Sequence, residues 1–193
     1  RRSNDETVHI FSPQIMRALR LNNTRGRTDN VHGIEVLRFV PAADFWMNAT
    51  EWPPNRRFYQ FGPRGLVNIS VVYQGAPVFV SQPHFLGADP LLGEGVEGLR
   101  PDPALHEFFL DVEPHLGMTF LEKQRIQISV GLQDAPTLGG GWLSKVKPAY
   151  VPVAWYEQYS EIEEQGVRDF MHLYGGLSLL WGAACVGGLG LTL

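Results

Sequence analysis

Cysteine is nearly absent from this chain of 193 residues, in which Cys185 is the single example. One cysteine cannot form an intramolecular disulfide, so the small disulfide-stapled secreted folds are excluded. No spacing of cysteine and histidine resembles a zinc site. The sequence also lacks a GxSxG elbow, a phosphate-cradling glycine loop and an HExxH motif, and we therefore expect no enzyme and no cofactor.

A large excess of charge of one sign is also missing. The 16 basic and 20 acidic residues give a formal net charge of −4, which offers no bulk electrostatic basis for binding nucleic acid. The basic residues concentrate near the front, where the stretch from Arg1 to Arg64 holds ten arginines against six acidic residues. No apolar stretch follows Arg1 closely enough to indicate a signal peptide.

The composition that is present indicates one β-rich globular body. Hydrophobic residues make up 44% and charged residues 19% of the chain, which suits a domain with a sizeable core. The 21 glycines and 14 prolines favour short strands joined by many turns over a helical bundle. Alternation of apolar and polar residues and the placement of turn residues predict these strands: Gly33–Val40, Val67–Tyr73 with Pro77–Val80, His106–Val112 with Gly117–Leu121, Ile126–Leu132 and Tyr150–Trp155. Because Pro152 interrupts the last one, we expect that strand at an edge or a bulge.

A short helix is predicted near the front of the chain. Ser12 has the character of an N-cap residue and Pro13 suits the first helical position. The apolar residues Ile15, Met16 and Leu19 would then follow on one face. We expect this helix to carry Arg17 and Arg20 on a common face, because they are three residues apart.

The end of the chain carries no formal charge from Phe170 to Leu193, a run of 24 residues. As a helix this run would rise about 36 Å, enough to cross a hydrocarbon core of roughly 30 Å. It predicts a transmembrane helix at residues 170–193, attached to an ectodomain at residues 1–169. Its six glycines weaken a helix in water and leave a buried glycine-rich hairpin or a disordered end as the alternatives.

Small residues four apart within this run would let two helix backbones approach each other closely. The pairs are Ser178 and Gly182, Ala183 and Gly187, and Ala184 and Gly188. A homo-oligomer formed through the helix is one interpretation of this spacing. A span that is merely rich in glycine and alanine is the other.

Three sequons for N-glycosylation begin at Asn22, Asn48 and Asn68. None has proline in its middle position, so each is a chemically acceptable glycosylation site. Used sequons would agree with a lumenal or extracellular ectodomain.

Acidic residues and histidines cluster at His106, Asp111, Glu113 and His115. On a strand, the last three would share one face, which could seat a divalent metal or a carboxylate pair in a hydrolase. The alternative is a salt-bridged hairpin in which Lys123 and Arg125 supply the opposite charges.

Ligand binding is the hypothesis for the densest basic cluster, formed by Arg17, Arg20, Arg25 and Arg27. This cluster contains no acidic residue and could bind phospholipid headgroups, an acidic protein or a modified lipoprotein. A solvated surface is the alternative. Phe79, Phe85 and Leu86 could line a lipid cavity or belong to the core.

Three strings, in order, carry a resemblance to a known family. They are the run PVFVSQPHFL at residues 77–86, the run VEGLRP at residues 96–101 and the run LDVEPHLG at residues 110–117. Together they resemble the class B scavenger receptor family, which includes the fatty-acid translocase, the high-density lipoprotein receptor and the lysosomal integral membrane protein. The resemblance begins near Val8 and corresponds to the C-terminal portion of a family member.

The resemblance implies a mainly β fold, an antiparallel barrel-like ectodomain of which these residues form part, with short helices and one C-terminal transmembrane helix. It implies a receptor at the plasma membrane or the lysosome that binds fatty acids, sterols or lipoprotein lipids and transfers them through an internal apolar tunnel. The alternative function is a sorting receptor that binds a partner protein at a basic apex. The cysteines expected around Met16, Arg56 and Val72 in animal members are missing here, so the family's disulfide clasp cannot form.

Overall fold

The computed structural model describes residues 7–59, 62–132 and 147–188, without the side chains of residues 14, 24–28 and 178–188. Eight strands dominate the described residues, and every pairing between them is antiparallel. The strands are β1 Thr7–Ser12, β2 Arg17–Val31, β3 Ile34–Pro41, β4 Val67–Asn68, β5 Val78–Ser81, β6 Phe109–Val112, β7 Thr119–Gly131 and β8 Tyr150–Glu161. The helices are α1 Pro103–His106 and α2 Glu164–Gly188.

One sheet contains all eight strands in the order β1-β2-β3-β6-β7-β5-β4, with β8 paired to β7. No pairing among the described residues joins the two ends of this order, so the sheet is not closed there. The mainly antiparallel β prediction is therefore confirmed, while closure into a barrel is not seen in the described part of the chain.

Strand β7 organises the sheet because three other strands pair with it. Residues near its start pair with β6, residues near its end pair with β5, and β8 follows it from Leu121 to Gly131. The predicted hairpin around residues 113–116 is confirmed by the pairing of β6 with β7. The turn at residues 74–76 is confirmed by the pairing of β4 with β5, although β4 is only two residues long.

Apolar side chains pack the fold in three clusters. The largest lies under β2, β3 and β6, with Leu19, Leu21 and Phe39 nearly inaccessible to solvent. A second cluster surrounds Phe79 and Phe85. The third joins the sheet to α2 through Phe120 and Phe170, whose ring centroids are 5.2 Å apart.

The helix predicted from Ser12 is wrong beyond its first turn. Pro13–Ile15 form a 3₁₀ turn, and Met16 then takes a left-handed conformation with φ 49°. The chain reverses there, and β2 begins at Arg17 and pairs with β1. The predicted helical periodicity instead arises from a tight hairpin, in which Ile15 and Leu19 are buried in the same core cluster.

Candidate functional site

The predicted basic ligand site begins on β2. Arg17 and Arg20 lie on this strand, where residues three apart do not share a face, so the expected common helical face is wrong. The side chains of Arg25 and Arg27 lie outside the described residues.

Arg17 is held inside the protein by aromatic rings. Its guanidinium lies 4.5 Å from the ring centroid of Phe45 and 3.9 Å from that of Phe58, and it donates to the Oδ1 atom of Asn55. The pKa of Arg17 is lowered to about 10, mainly by burial, which Asp44 opposes and Arg57 reinforces. These contacts are those of a structural cation that packs loop 53–58 against β2.

Arg20 is more accessible than Arg17. Its side chain is 45% exposed and forms an ion pair with Asp44. An exposed pair of this kind contributes little to stability, and the guanidinium can still offer donors to an anion. Of the two described arginines, Arg20 is the better placed to contact a ligand.

The acidic cluster does not form the shared face that the sequence predicted. Asp111 is fully buried and accepts hydrogen bonds from Arg38, at 2.7 Å from Nε and 2.6 Å from Nη2. Arg38, rather than Lys123 or Arg125, is therefore its counter-charge, and Asp29 binds the same guanidinium at 2.8 Å. This bidentate pair joins β3 to β6 across 73 residues of sequence.

Glu113 forms a separate corner at the end of β6. Its carboxylate accepts hydrogen bonds from the backbone N–H groups of His115 and Leu116 and lies 2.5 Å from the Nδ1 atom of His115. Burial raises the pKa of Glu113, but the hydrogen bonds from Leu116 and His115 outweigh burial and lower it overall. No group of three metal-ligating side chains occurs in the part of the chain that the structure describes.

His106 lies apart from these acidic residues. It ends α1 and stacks on His84, a residue that precedes it by 22 positions. The His84–His106 contact could not be found from sequence spacing, since the two residues meet only through the tertiary fold.

Two clefts among the described residues border apolar clusters, one at Trp46 of the first cluster and the other at Leu92 and Tyr150 of the second. One, of about 290 Å³, is lined by Trp46, Met47, Arg64, Gln82 and Glu107 among others. The other, of about 310 Å³, has mostly apolar walls, which include Leu91, Leu92, Pro148, Ala149 and Tyr150.

The aromatic residues predicted near a lipid cavity belong to the core beside these clefts. Phe79 and Phe85 are 8% and 6% exposed, and the Phe79 ring meets the ring of Tyr150 edge-on at 4.9 Å. Tyr150 forms a cleft wall that sequence reasoning missed, although its place at the start of the predicted strand after residue 149 was a usable signal. Burial raises the pKa of Tyr150, while a hydrogen bond from Tyr59 opposes the shift.

The three sequons lie in different settings. Asn22 on β2 and Asn68 on β4 are exposed. Asn48 is partly buried, and its Nδ2 atom donates to the carbonyl of Gly62 at 2.6 Å. Asn68 Oδ1 accepts from the backbone N–H of Ser70 at 2.8 Å.

Helix α2 begins at Glu164, before the predicted membrane segment. Phe170, the first residue of that segment, is 4% exposed and packs on Phe120. Among the residues that the structure describes, no helix combines the length and the apolar character needed to cross a bilayer. Residues 189–193 and the side chains of residues 178–188 lie outside the described part.

Known proteins resemble this chain along most of its length. The sequence model of the CD36 family matches residues 1–193. Scavenger receptor class B member 1 of Rattus norvegicus is 35% identical over 154 residues, which cover 80% of this chain and 30% of that protein. The protein of the same name in Cricetulus griseus is 36% identical over 164 residues, which cover 85% of this chain and 31% of that protein.

A relative with a different name matches a shorter stretch. Lysosome membrane protein 2 of Rattus norvegicus is 31% identical over 131 residues, which cover 66% of this chain and 26% of that protein. The chain thus covers between 26% and 31% of the length of these three curated relatives.

Proposed function

Because the chain belongs to the CD36 family, we propose that it is part of a membrane receptor that binds lipids or lipoprotein lipids and transfers them through an apolar conduit. The observation that carries this proposal is the family match over residues 1–193. The relatives are named as receptors and as a membrane protein, which supports a non-enzymatic role at the plasma membrane or the lysosome.

The cleft beside Tyr150 is the proposed contact for the hydrocarbon part of a ligand. Its walls include Leu91, Leu92, Pro148 and Ala149, and its volume is about 310 Å³. Removing a hydrocarbon chain from water contributes roughly 0.8 kcal/mol for each CH₂ group. Arg20 is the proposed contact for an anionic headgroup, because it is the more exposed of the two described arginines.

Anchorage by the uncharged segment Phe170–Leu193 is part of the same proposal. The absence of charged residues after Asp169 supports it, and so does the membrane location stated in the name of one relative. The ectodomain would then face the lumen or the cell exterior, where Asn22 and Asn68 are the more exposed of the three sequon asparagines.

Lipid extraction followed by mass spectrometry of the purified full-length protein tests the proposal. We expect bound acyl chains or sterol, and Ala149→Phe should lower the amount severalfold by filling the cleft. Ala76→Phe adds the same bulk at an exposed turn and should leave the lipid content unchanged. A protein that carries no lipid, or equal lipid loss in both variants, would count against the proposed function.

Membrane extraction tests the anchor separately. The full-length protein should stay with membranes in alkaline carbonate and should lose mass on treatment with an N-glycosidase. A protein that carbonate releases from membranes would contradict anchorage, and a protein without attached sugar would contradict the lumenal or extracellular orientation.

A further inference from the structure

Two histidines from separate segments stack against each other beside α1. His84 belongs to the 3₁₀ turn Pro83–Phe85, and His106 is the last residue of α1. Their ring centroids are 4.3 Å apart with an interplanar angle of 27°. The rings therefore join the segment of residues 82–86 to the segment of residues 99–107, beside the hydrogen bond that the backbone N–H of Phe108 donates to Gln82 Oε1 at 3.2 Å.

Each ring accepts a hydrogen bond that requires its Nδ1 atom to be unprotonated. The backbone N–H of Arg100 donates to His84 Nδ1 at 3.1 Å, and the backbone N–H of Asp102 donates to His106 Nδ1 at 2.9 Å. A neutral imidazole accepts at one nitrogen and donates at the other, whereas the imidazolium donates at both. Protonation of either ring therefore replaces an attractive contact with two opposed N–H groups.

The surroundings of His106 also disfavour a positive charge. His106 is 5% exposed, and its ring centroid lies 5.7 Å from that of Trp155 of β8, with the two rings nearly perpendicular. Burial lowers the pKa of His106, His84 and Arg125 lower it further, and Asp102 opposes them. Arg125 is fixed in place by Glu157 of β8 at 2.6 Å.

Arg125 also closes the segment around His106. It donates to the carbonyl oxygens of Ala104 and Glu107 at 3.2 and 3.0 Å, on either side of the histidine. The charged groups around the ring, at the start of α1, on β7 and on β8, are thus Asp102, Arg125 and Glu157, and Arg125 is the cation among these three. A proton on His106 adds a further cation close to this guanidinium.

The turn that carries His84 is held in an unfavourable backbone conformation. His84 and Phe85 have φ of 55° and 56°, in the left-handed region that bulky residues seldom adopt. The backbone N–H of His84 donates to Gln127 Oε1 at 2.8 Å. The stack and the bond from Arg100 are further contacts that keep the turn in this conformation.

We propose that the stacked pair His84–His106 is an acid-released latch between residues 82–86 and residues 99–107. In the closed latch, each Nδ1 atom accepts its hydrogen bond from the backbone. A ring that titrates below its usual range in the folded protein takes up a proton more readily once the latch opens, so the closed state loses stability as the pH falls below about 6.5. Gln82 and Glu107, one from each segment, line the cleft of about 290 Å³, so release changes the walls of that cleft.

Hydrogen–deuterium exchange of the purified full-length protein between pH 7.5 and 5.0 tests the latch. After correction for the intrinsic rates, peptides covering residues 99–107 should lose protection severalfold, up to about tenfold, between pH 7.0 and 5.5, since one proton taken up on opening gives at most about tenfold per pH unit below about 6.5. Peptides covering residues 120–126 of β7 should keep their protection over this range.

Substitution by asparagine separates titration from packing. Asparagine keeps an acceptor near the position of Nδ1 but does not titrate, so the double variant His84→Asn/His106→Asn should lose the pH dependence at residues 99–107. His9→Asn, at an exposed position of β1, should keep it. The proposal is overturned if the wild-type protection is constant with pH, or if the double variant retains the wild-type slope.

The two single variants cover the case in which the double variant does not fold. Each removes one ring of the stack and should lower the slope of protection against pH. An unchanged slope in both single variants would equally contradict the latch. Because the measurement concerns only exchange at residues 99–107, its result is independent of whether the protein carries lipid.

Discussion

Histidines lie just beyond both ends of β6, in opposite electrostatic settings. Before the strand, His106 stacks on a second histidine and lies near Arg125. After the strand, His115 lies 2.5 Å from the buried carboxylate of Glu113. A proton on His106 would lie close to another cation, whereas a proton on His115 would face the carboxylate of Glu113. A protonated histidine thus destabilises the fold when it faces a cation and stabilises it when it faces a carboxylate.

Acid should therefore open the two ends in a fixed order. The contribution of a group with a lowered folded-state pKa is present above its ordinary pKa and is lost as the pH falls through the folded value. For His106 this loss begins below about 6.5. For Glu113, whose pKa is lowered from 4.5, it begins only below that value, so the Glu113 corner should outlast the histidine stack.

Removing the ion pair between Asp111 of β6 and Arg38 should lower the free energy of unfolding more than a change at either end of the strand. Asp111→Ala leaves Arg38 without its buried partner, and breaking a buried pair costs about 3–5 kcal/mol of the free energy of unfolding. We expect both ends of β6 to lose exchange protection together, and the urea midpoint of the full-length protein to fall. Asp29→Ala removes the exposed partner of the same guanidinium and should cost less than about 1 kcal/mol. Equal effects from both variants would contradict the central role of Asp111.

Neutralising the carboxylate at the second end should have an intermediate effect. Glu113→Gln keeps the shape of the side chain but weakens the bonds from the backbone N–H groups of His115 and Leu116, at a cost of about 1–3 kcal/mol. Exchange at residues 113–118 should then no longer respond to pH between 5 and 3, while the histidine stack keeps its response. Glu97→Gln, in an exposed loop, is the matched control. A Glu113→Gln protein with an unchanged acid response would show that another group controls this corner.

The exposed pair of His32 and Glu161 gives the smallest expected effect. The two side chains are 3.1 Å apart and more than a third exposed, so solvent screens their attraction. His32→Gln should change the free energy of unfolding by less than about 1 kcal/mol, as measured by urea denaturation. If the free energy of unfolding fell as much as in Glu113→Gln, solvent exposure would not explain the difference between the His32–Glu161 and His115–Glu113 pairs.

Local patterns predicted much of the sheet but few of its long-range contacts. The alternation at residues 126–132 and the turn at residues 113–116 were sufficient to predict β7 and its hairpin with β6, because both depend on neighbours in sequence. Ser12 and Pro13 matched a helix start, yet the left-handed Met16 reversed the chain into a hairpin. The pairing of β1 with β2 therefore overrode the local preference for a helix at residues 12–19.

The candidate site was harder to predict because its contacts join distant segments. The spacing of Asp111, Glu113 and His115 indicated a common face, but the strand ends at Val112, so Glu113 lies beyond it and His115 lies in the turn that follows. Arg38 reaches Asp111 only because β3 pairs with β6. Family resemblance came from short strings in order and was confirmed over residues 1–193, since such strings survive where contact geometry cannot be deduced.

The packing of Phe170 on Phe120 has a mechanical consequence. The backbone N–H of Ile162 donates to the carbonyl of Phe120 at 2.8 Å, and eight residues later the helix returns a ring to the same strand residue. The start of α2 is thereby clamped to β7 at two points. A tilt of this helix should therefore displace β7. Because β5, β6 and β8 all pair with β7, a force applied to α2 should reach these three strands together.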